Sequence, residues 1–157
     1  MSEITENVER ARAQLLRLLK TRPRSKYEAQ TRLRQKGFSL SVIEQVIEMA
    51  EASGLLDDEA FAKLWIEGRS LTKPKGRRAL EHELREKGID REIIAKLLNE
   101  SLVDEYATAR QLVKERLGRY PQVSSEDRHR KLVGFLRRRG FSFDLINKVL
   151  KELFFQI

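Results

Sequence analysis

The sequence predicts an all-α protein built from three tandem three-helix repeats that form an elongated, curved molecule. Three observations lead there. A short segment occurs three times, as Leu33-Arg34-Gln35-Lys36-Gly37-Phe38, Leu84-Arg85-Glu86-Lys87-Gly88-Ile89 and Leu136-Arg137-Arg138-Arg139-Gly140-Phe141, with its glycines 51 and 52 residues apart. Apolar residues then follow each glycine in the same register: Val42, Ile43, Val46, Ile47; Ile93, Ile94, Leu97, Leu98; Leu145, Ile146, Val149, Leu150. Finally, no stretch alternates apolar and polar residues over a useful length, so strands are not expected.

The recurring segment reads as the end of one helix and the start of the next. Glycine adopts the left-handed conformation that closes a helix, and the apolar residue after it folds back onto the last turn. The cations before it suit the negative end of the helix dipole.

Taken in order, the first helix runs from about Ile4 to Thr21, with Ile4, Val8, Ala11, Leu15 and Leu18 or Leu19 on one face. Arg22-Pro23-Arg24 ends it, because proline disfavours a helical residue before it. Ser25, with Glu28 three residues on, carries a capping-box signature for the second helix, whose stripe is Ala29 and Leu33. Ser39 caps the third, which closes at Gly54.

The second repeat opens with Asp57 as N-cap and Phe61, Leu64 and Trp65 as the apolar face. The basic turn Thr72-Lys73-Pro74-Lys75-Gly76-Arg77-Arg78 leads into a helix through Leu80 and Leu84, and Asp90 caps the next one, ending near Ser101. In the third repeat a helix from about Val103 to Leu117 carries Tyr106, Ala109 or Arg110, Leu112 and Val113. The stretch from Gly118 to Ser125 is the longest linker and the best candidate for a hinge. A helix through Leu132 and Leu136 follows, then a last one capped by Ser142. The closing Leu153-Phe154-Phe155-Gln156-Ile157 is expected to cover the end of the third repeat. The repeats are expected at 1–54, 55–101 and 102–157.

Composition narrows the function. Charged residues make up 36% of the 157 positions, and 32 Lys and Arg against 24 Asp and Glu leave a net charge of +8. Such an excess favours a polyanionic partner, although a merely basic surface has the same count. The absence of cysteine excludes disulfides and thiolate metal sites. The acidic start, Met1 to Glu6, does not read as a signal peptide, and no segment reaches the roughly 20 apolar residues that span a bilayer. A cytoplasmic monomer without membrane attachment is expected.

No catalytic constellation is present. His82 and His129 stand in different repeats and read as surface residues, Asp57, Asp58 and Glu59 as a helix start. The glycines end helices and form no phosphate-cradling motif. A non-enzymatic protein without metal or cofactor is therefore expected.

The cations say more. Arg34, Arg85 and Arg137 occupy one repeat position, and Lys36, Lys87 and Arg139 another, as a ladder of charge would. Favourable interaction with helix dipoles explains one or two cations per helix end. It leaves unexplained Lys73, Lys75, Arg77 and Arg78 in one turn, and Arg128, Arg130, Lys131, Arg137, Arg138 and Arg139 in one helix. These positions are the candidate nucleic-acid or partner interface. Phe38, Phe61, Trp65 and Phe141 fall on the apolar register and are assigned to the core, so no stacking platform is evident.

The chain resembles the RecX family, bacterial regulators of the RecA recombinase. The residues that carry the likeness are Arg22-Pro23-Arg24-Ser25-Lys26-Tyr27-Glu28, Leu33 to Phe38, and Gly54-Leu55-Leu56-Asp57-Asp58-Glu59-Ala60-Phe61-Ala62 with Trp65 and Arg69, completed by Leu84 to Ile89 and the third repeat. It covers about residues 15 to 155, and Ala29 stands where the family more often has leucine. The resemblance implies tandem three-helix repeats, no catalysis, binding to the RecA nucleoprotein filament and its DNA, and inhibition of RecA's ATPase, strand-exchange and co-protease functions. The alternative from the residues alone is a basic helical protein that binds DNA by itself, with direct groove reading by one of the glycine-turn helix pairs still open; a helical adaptor indifferent to nucleic acid is a third reading.

Overall fold

A computed structural model of the chain describes residues 2–100, 104–119 and 124–154. Among these, all regular structure is helical: α1 (Glu3–Thr21), α2 (Lys26–Gln35), α3 (Leu40–Ala52), α4 (Asp58–Thr72), α5 (Arg77–Glu86), α6 (Arg91–Asn99), α7 (Glu105–Leu117), α8 (Ser125–Arg138) and α9 (Phe143–Phe154). The expected positions of Ser101 and Val103, residues 120–123 of the linker and the final Phe155 to Ile157 lie outside the described residues.

Most helices begin on the residues their chemistry demands. At α2 both halves of the capping box form: Ser25 Oγ accepts from the Glu28 N–H at 3.1 Å, and Glu28 Oε1 accepts from the Ser25 N–H at 3.2 Å. Ser39, Asp57, Asp104, Ser124 and Ser142 accept from the N–H three residues on in α3, α4, α7, α8 and α9.

The recurring glycines end their helices as expected. Gly37, Gly88 and Gly140 have φ of +92°, +75° and +91°. After each, the apolar residue's N–H reaches back five residues: Phe38 to Leu33, Ile89 to Leu84 and Phe141 to Leu136, at 3.3, 3.0 and 3.2 Å. Ile89 and Phe141 are buried and Phe38 is half-buried against the core.

The molecule divides into two compact units, Met1–Leu64 with Leu84–Ile94 and Trp65–Glu83 with Ala95–Ile157. The division falls inside α4, α5 and α6. In the first unit the core is Ala11, Leu15, Ala29, Leu33, Val42, Ile43, Val46, Ile47 and Ala50, on the expected register of the first repeat, joined by Leu56, which lies within the expected second repeat. Its counterpart in the second unit gathers Ala109, Leu112, Val113, Leu132, Phe135, Leu136, Phe141, Ile146, Val149 and Leu150, with Leu153 and Phe154 packed against it.

Two expected core residues are outside. Ile4 is exposed in the opening turn of α1, above the point where Ala11 and Leu15 meet the core. Leu64 is exposed because the buried stripe of α4 runs through Phe61, Ala62 and Ile66, which turns Leu64 away to solvent.

Each unit contains one joint between consecutive repeats, and the two joints follow one plan. In the first, the Ser25 hydroxyl donates to the Lys87 carbonyl at 2.7 Å, and the Lys26 N–H donates to Asp58 Oδ1 at 2.8 Å. In the second, the Gly76 N–H donates to the Arg139 carbonyl at 2.7 Å, and the Arg77 N–H donates to Glu105 Oε1. Gly76 stands 51 residues after Ser25, the same step that separates Gly37 from Gly88. Thus the start of the middle helix in one repeat receives the glycine turn and the first acidic turn of the next. The close approach requires glycine: a Cβ on Gly88 would lie 2.6 Å from Tyr27 Cγ, and one on Gly140 would lie 2.5 Å from the Ala79 nitrogen. At Gly37 a Cβ would meet open space.

Half-buried carboxylates hold these segments. Glu28 takes a two-pronged contact from Arg22 and an ion pair from Lys87 at 3.4 Å. Glu83 receives the Trp65 indole N–H at 2.8 Å, Arg69 Nε at 3.0 Å and the Lys75 ammonium, so it clasps the second half of α4 and the basic turn to the later half of α5. Burial by itself would raise both carboxyls. The hydrogen bonds from Arg22 and the Ser25 N–H, and the charge of Lys87, more than offset this for Glu28; Lys75, Trp65 and Arg69 do so for Glu83. Both therefore sit below the usual carboxylate range.

A depressed carboxylate stabilises the fold above its unfolded pKa, about 4.3 for Glu, and that stability is lost as pH falls through the lower folded value. Asp58 is raised by burial, so its protonation works the other way and softens the acid loss. Replacement of Glu83 by Gln is expected to cost roughly 1–3 kcal/mol at neutral pH, because charged partners lose their acceptor. The same variant should show a flatter fall in stability below pH ~4. Denaturation of both chains across that range checks the claim; parallel curves would show that Glu83 does not act as an ionised clasp.

Candidate nucleic-acid interface

The candidate cations divide by what their side chains do. Lys75 is held by Glu83, Lys87 by Glu28, and Arg77 donates to the Leu98 carbonyl and to Asn99 Oδ1 at 2.7 Å. Arg139 donates to the Pro74 carbonyl at 3.0 Å and lies 5.0 Å from the Phe135 ring centroid. Its burial, with Arg116 nearby, pushes the guanidinium below its ordinary pKa. The repeat position one before the glycine is therefore a joint in the second and third repeats, while Lys36 in the first is exposed.

The position three before the glycine behaves differently. Arg34, Arg85 and Arg137 give their carbonyls to the glycine N–H at 3.0, 2.9 and 3.0 Å, and all three side chains are exposed. Lys73 and Arg78 are exposed on the basic turn. Arg77, between the expected partners of that cluster, instead anchors the end of α6.

The densest exposed charge is on α8. At 100° per residue, Arg130, Lys131, Gly134, Arg137 and Arg138 occupy one third of the helix circumference, while Leu132, Phe135 and Leu136 face the core. Arg130, Lys131, Gly134, Arg138 and Asp127 line an open hollow of about 490 Å³, with Arg130 paired to Asp127. Arg128 lies apart, half-buried, with its guanidinium 5.8 Å from the Phe154 ring centroid.

One residue of this region was not singled out by sequence. Phe143, the first residue of α9, is 51% exposed, and the Arg137 guanidinium stands 4.5 Å from its ring centroid. Its signal was available: Phe143 lies off the buried register of Leu145, Ile146, Val149 and Leu150. The other aromatics agree with their assignment, since Phe61 and Phe141 are buried and Phe38 and Trp65 are half-buried.

Nothing in the described residues forms a cluster of His or carboxylates able to hold a metal ion, and no described helix is long and apolar enough to cross a membrane. Both histidines are exposed.

Family comparisons match this geometry repeat by repeat. The first, second and third three-helix domains of RecX match residues 11–48, 57–98 and 104–150. The chain belongs to the RecX family. A regulatory protein RecX of Mycolicibacterium vanbaalenii is 38% identical over 159 residues, covering 94% of this chain and 86% of that protein. One from Pelodictyon phaeoclathratiforme is 41% identical over 138 residues, covering 88% and 85%. The crystal structure of RecX from Lactobacillus salivarius superposes with a TM-score of 0.86 at 23% identity, covering 95% of this chain and 97% of that one, and shares its fold. A RecX-type regulatory role follows from these relatives, and all three RecX domains are present in the chain.

Proposed function

We propose that the chain is a non-enzymatic, cytoplasmic regulator that binds the RecA–DNA filament and inhibits RecA's ATPase, strand exchange and co-protease activity, and so tempers recombination, repair and the SOS response. The presence of all three RecX domains in order supports this reading most. The exposed cations at Arg34, Lys36, Lys73, Arg78, Arg85 and along α8 supply charge suited to a filament that contains DNA. Lys75, Arg77, Lys87 and Arg139 contribute by holding the repeats, taken as 1–54, 55–101 and 102–157, in the arrangement that presents those charges.

The test is the single-stranded-DNA-dependent ATPase of the cognate RecA, titrated with this protein at fixed moderate salt. Turnover should fall well below the protein concentration that coats bare DNA. The charge on α8 also suits a second reading, a monomer that binds DNA without RecA. That reading predicts no ATPase effect until the strand itself is covered, with a steep dependence on salt.

A further inference from the structure

The exposed face of α8 combines two features that neither the joints nor the core require. Gly134 sits inside the helix, where glycine is less stable than alanine. Packing does not demand it, because an added Cβ would meet only the mobile end of Arg138, at 3.2 Å. It lies at the hollow bounded by Arg130, Lys131, Arg138 and the carboxylate of Asp127, which pairs with Arg130. Ligand atoms can therefore approach the helix backbone beside the cations, a phosphate taking the place of Asp127 on Arg130. From Arg130 to Arg138 the helix rises about 12 Å, enough for a short run of phosphates. Beside this stripe, on the same repeat, the half-exposed Phe143 ring carries the Arg137 guanidinium at 4.5 Å. Burial elsewhere does not account for this ring, and a flat aromatic next to guanidinium groups matches an unpaired base, whose two faces stack on ring and arginine alike.

We propose that this face is a binding site for single-stranded nucleic acid. A splayed base stacks on Phe143 beside Arg137, and flanking phosphates lie against Arg130, Lys131 and Arg138 over Gly134. A duplex satisfies only half of the site, since its bases already stack on one another. The proposal rests on the reading of the chain as a regulator of a DNA-containing filament, and it assigns the strand contact to the third repeat.

The experiment uses the full chain, without RecA, and follows the fluorescence anisotropy of a dye-labelled oligothymidylate and of a duplex of equal length. The unmodified protein should bind the single strand more tightly. Phe143→Ala should weaken the strand roughly ten-fold, with little change for the duplex, and Phe143→Trp should restore it. Circular dichroism and melting of each variant report whether the fold persists, and Phe143→Trp keeps an aromatic in place should the alanine variant unfold. Unchanged strand binding by folded Phe143→Ala, or equal losses on strand and duplex, would overturn the site. Loss on charge reversal of Arg130 with Arg138, but not on loss of the ring, would also overturn it in favour of a duplex or an acidic protein surface. The same preparations, assayed for RecA ATPase, separate the two readings. Inhibition by the unmodified chain with a silent Phe143→Ala rejects the stacking site alone. Strand binding through Phe143 without inhibition rejects the filament regulator alone.

Discussion

Alanine at Gly140 is expected to destabilise the protein by about 2–5 kcal/mol, against about 1–2 kcal/mol for alanine at Gly37. Both positions hold a left-handed backbone, which costs a residue with a Cβ roughly 1–2 kcal/mol. Only at Gly140 would the new carbon press on the backbone of Ala79, and relief of such an overlap costs about 1–3 kcal/mol more. For a chain of this size each kcal/mol moves the melting temperature by roughly 2–4 °C. The Gly140 variant should therefore melt about 4–20 °C lower, with Gly37→Ala nearer the unmodified chain. Gly88→Ala should resemble Gly140→Ala, because Tyr27 closes over it. Similar melting for all three variants would mean that the joints yield easily and that repeat-to-repeat docking is not set by these glycines.

Reversing Arg137 and Arg138 to Glu together is expected to weaken filament binding ten-fold or more while leaving helicity intact. Both side chains are exposed, and their backbone roles at the end of α8 do not depend on the guanidinium groups. Lost phosphate contacts should also appear in the salt dependence, since each contributes about 0.7–0.9 to the slope of log affinity against log salt. A pull-down on RecA-coated single strands at several salt concentrations measures both. Undiminished binding would remove the α8 stripe from the mechanism. Reversal of Arg77 is a poor companion test, because that side chain ties α5 to the Leu98 carbonyl and to Asn99, so weakened binding would confound interface and fold. Arg78, exposed next to it, is the cleaner choice on the basic turn.

Much of the architecture was legible because helix chemistry is local. The Ser25 and Glu28 box, the Ser39 and Ser142 caps and the three glycine turns each depend on residues within one turn of chain, and the apolar register after each glycine selects one buried face. Leu64 was misassigned because several faces of α4 are apolar, and only packing chooses among them. Among the cations the same limit applies more strongly. Lys36, Lys87 and Arg139 are equivalent in sequence, yet the last two meet Glu28 and Pro74 across 59 and 65 residues.

The sequence by itself determined the helical class, the three-fold repeat, several of the helix caps and the family, because caps, turns and periodicity act over a few residues. Tertiary structure alone decided which cations bind the protein to itself and which face outward. It also decided that Gly76 takes the place of Ser25 in the second joint, and that Phe143 emerges beside Arg137. Such choices depend on which distant segments come within hydrogen-bonding reach. A repeat position carries no record of its neighbour until the chain has folded.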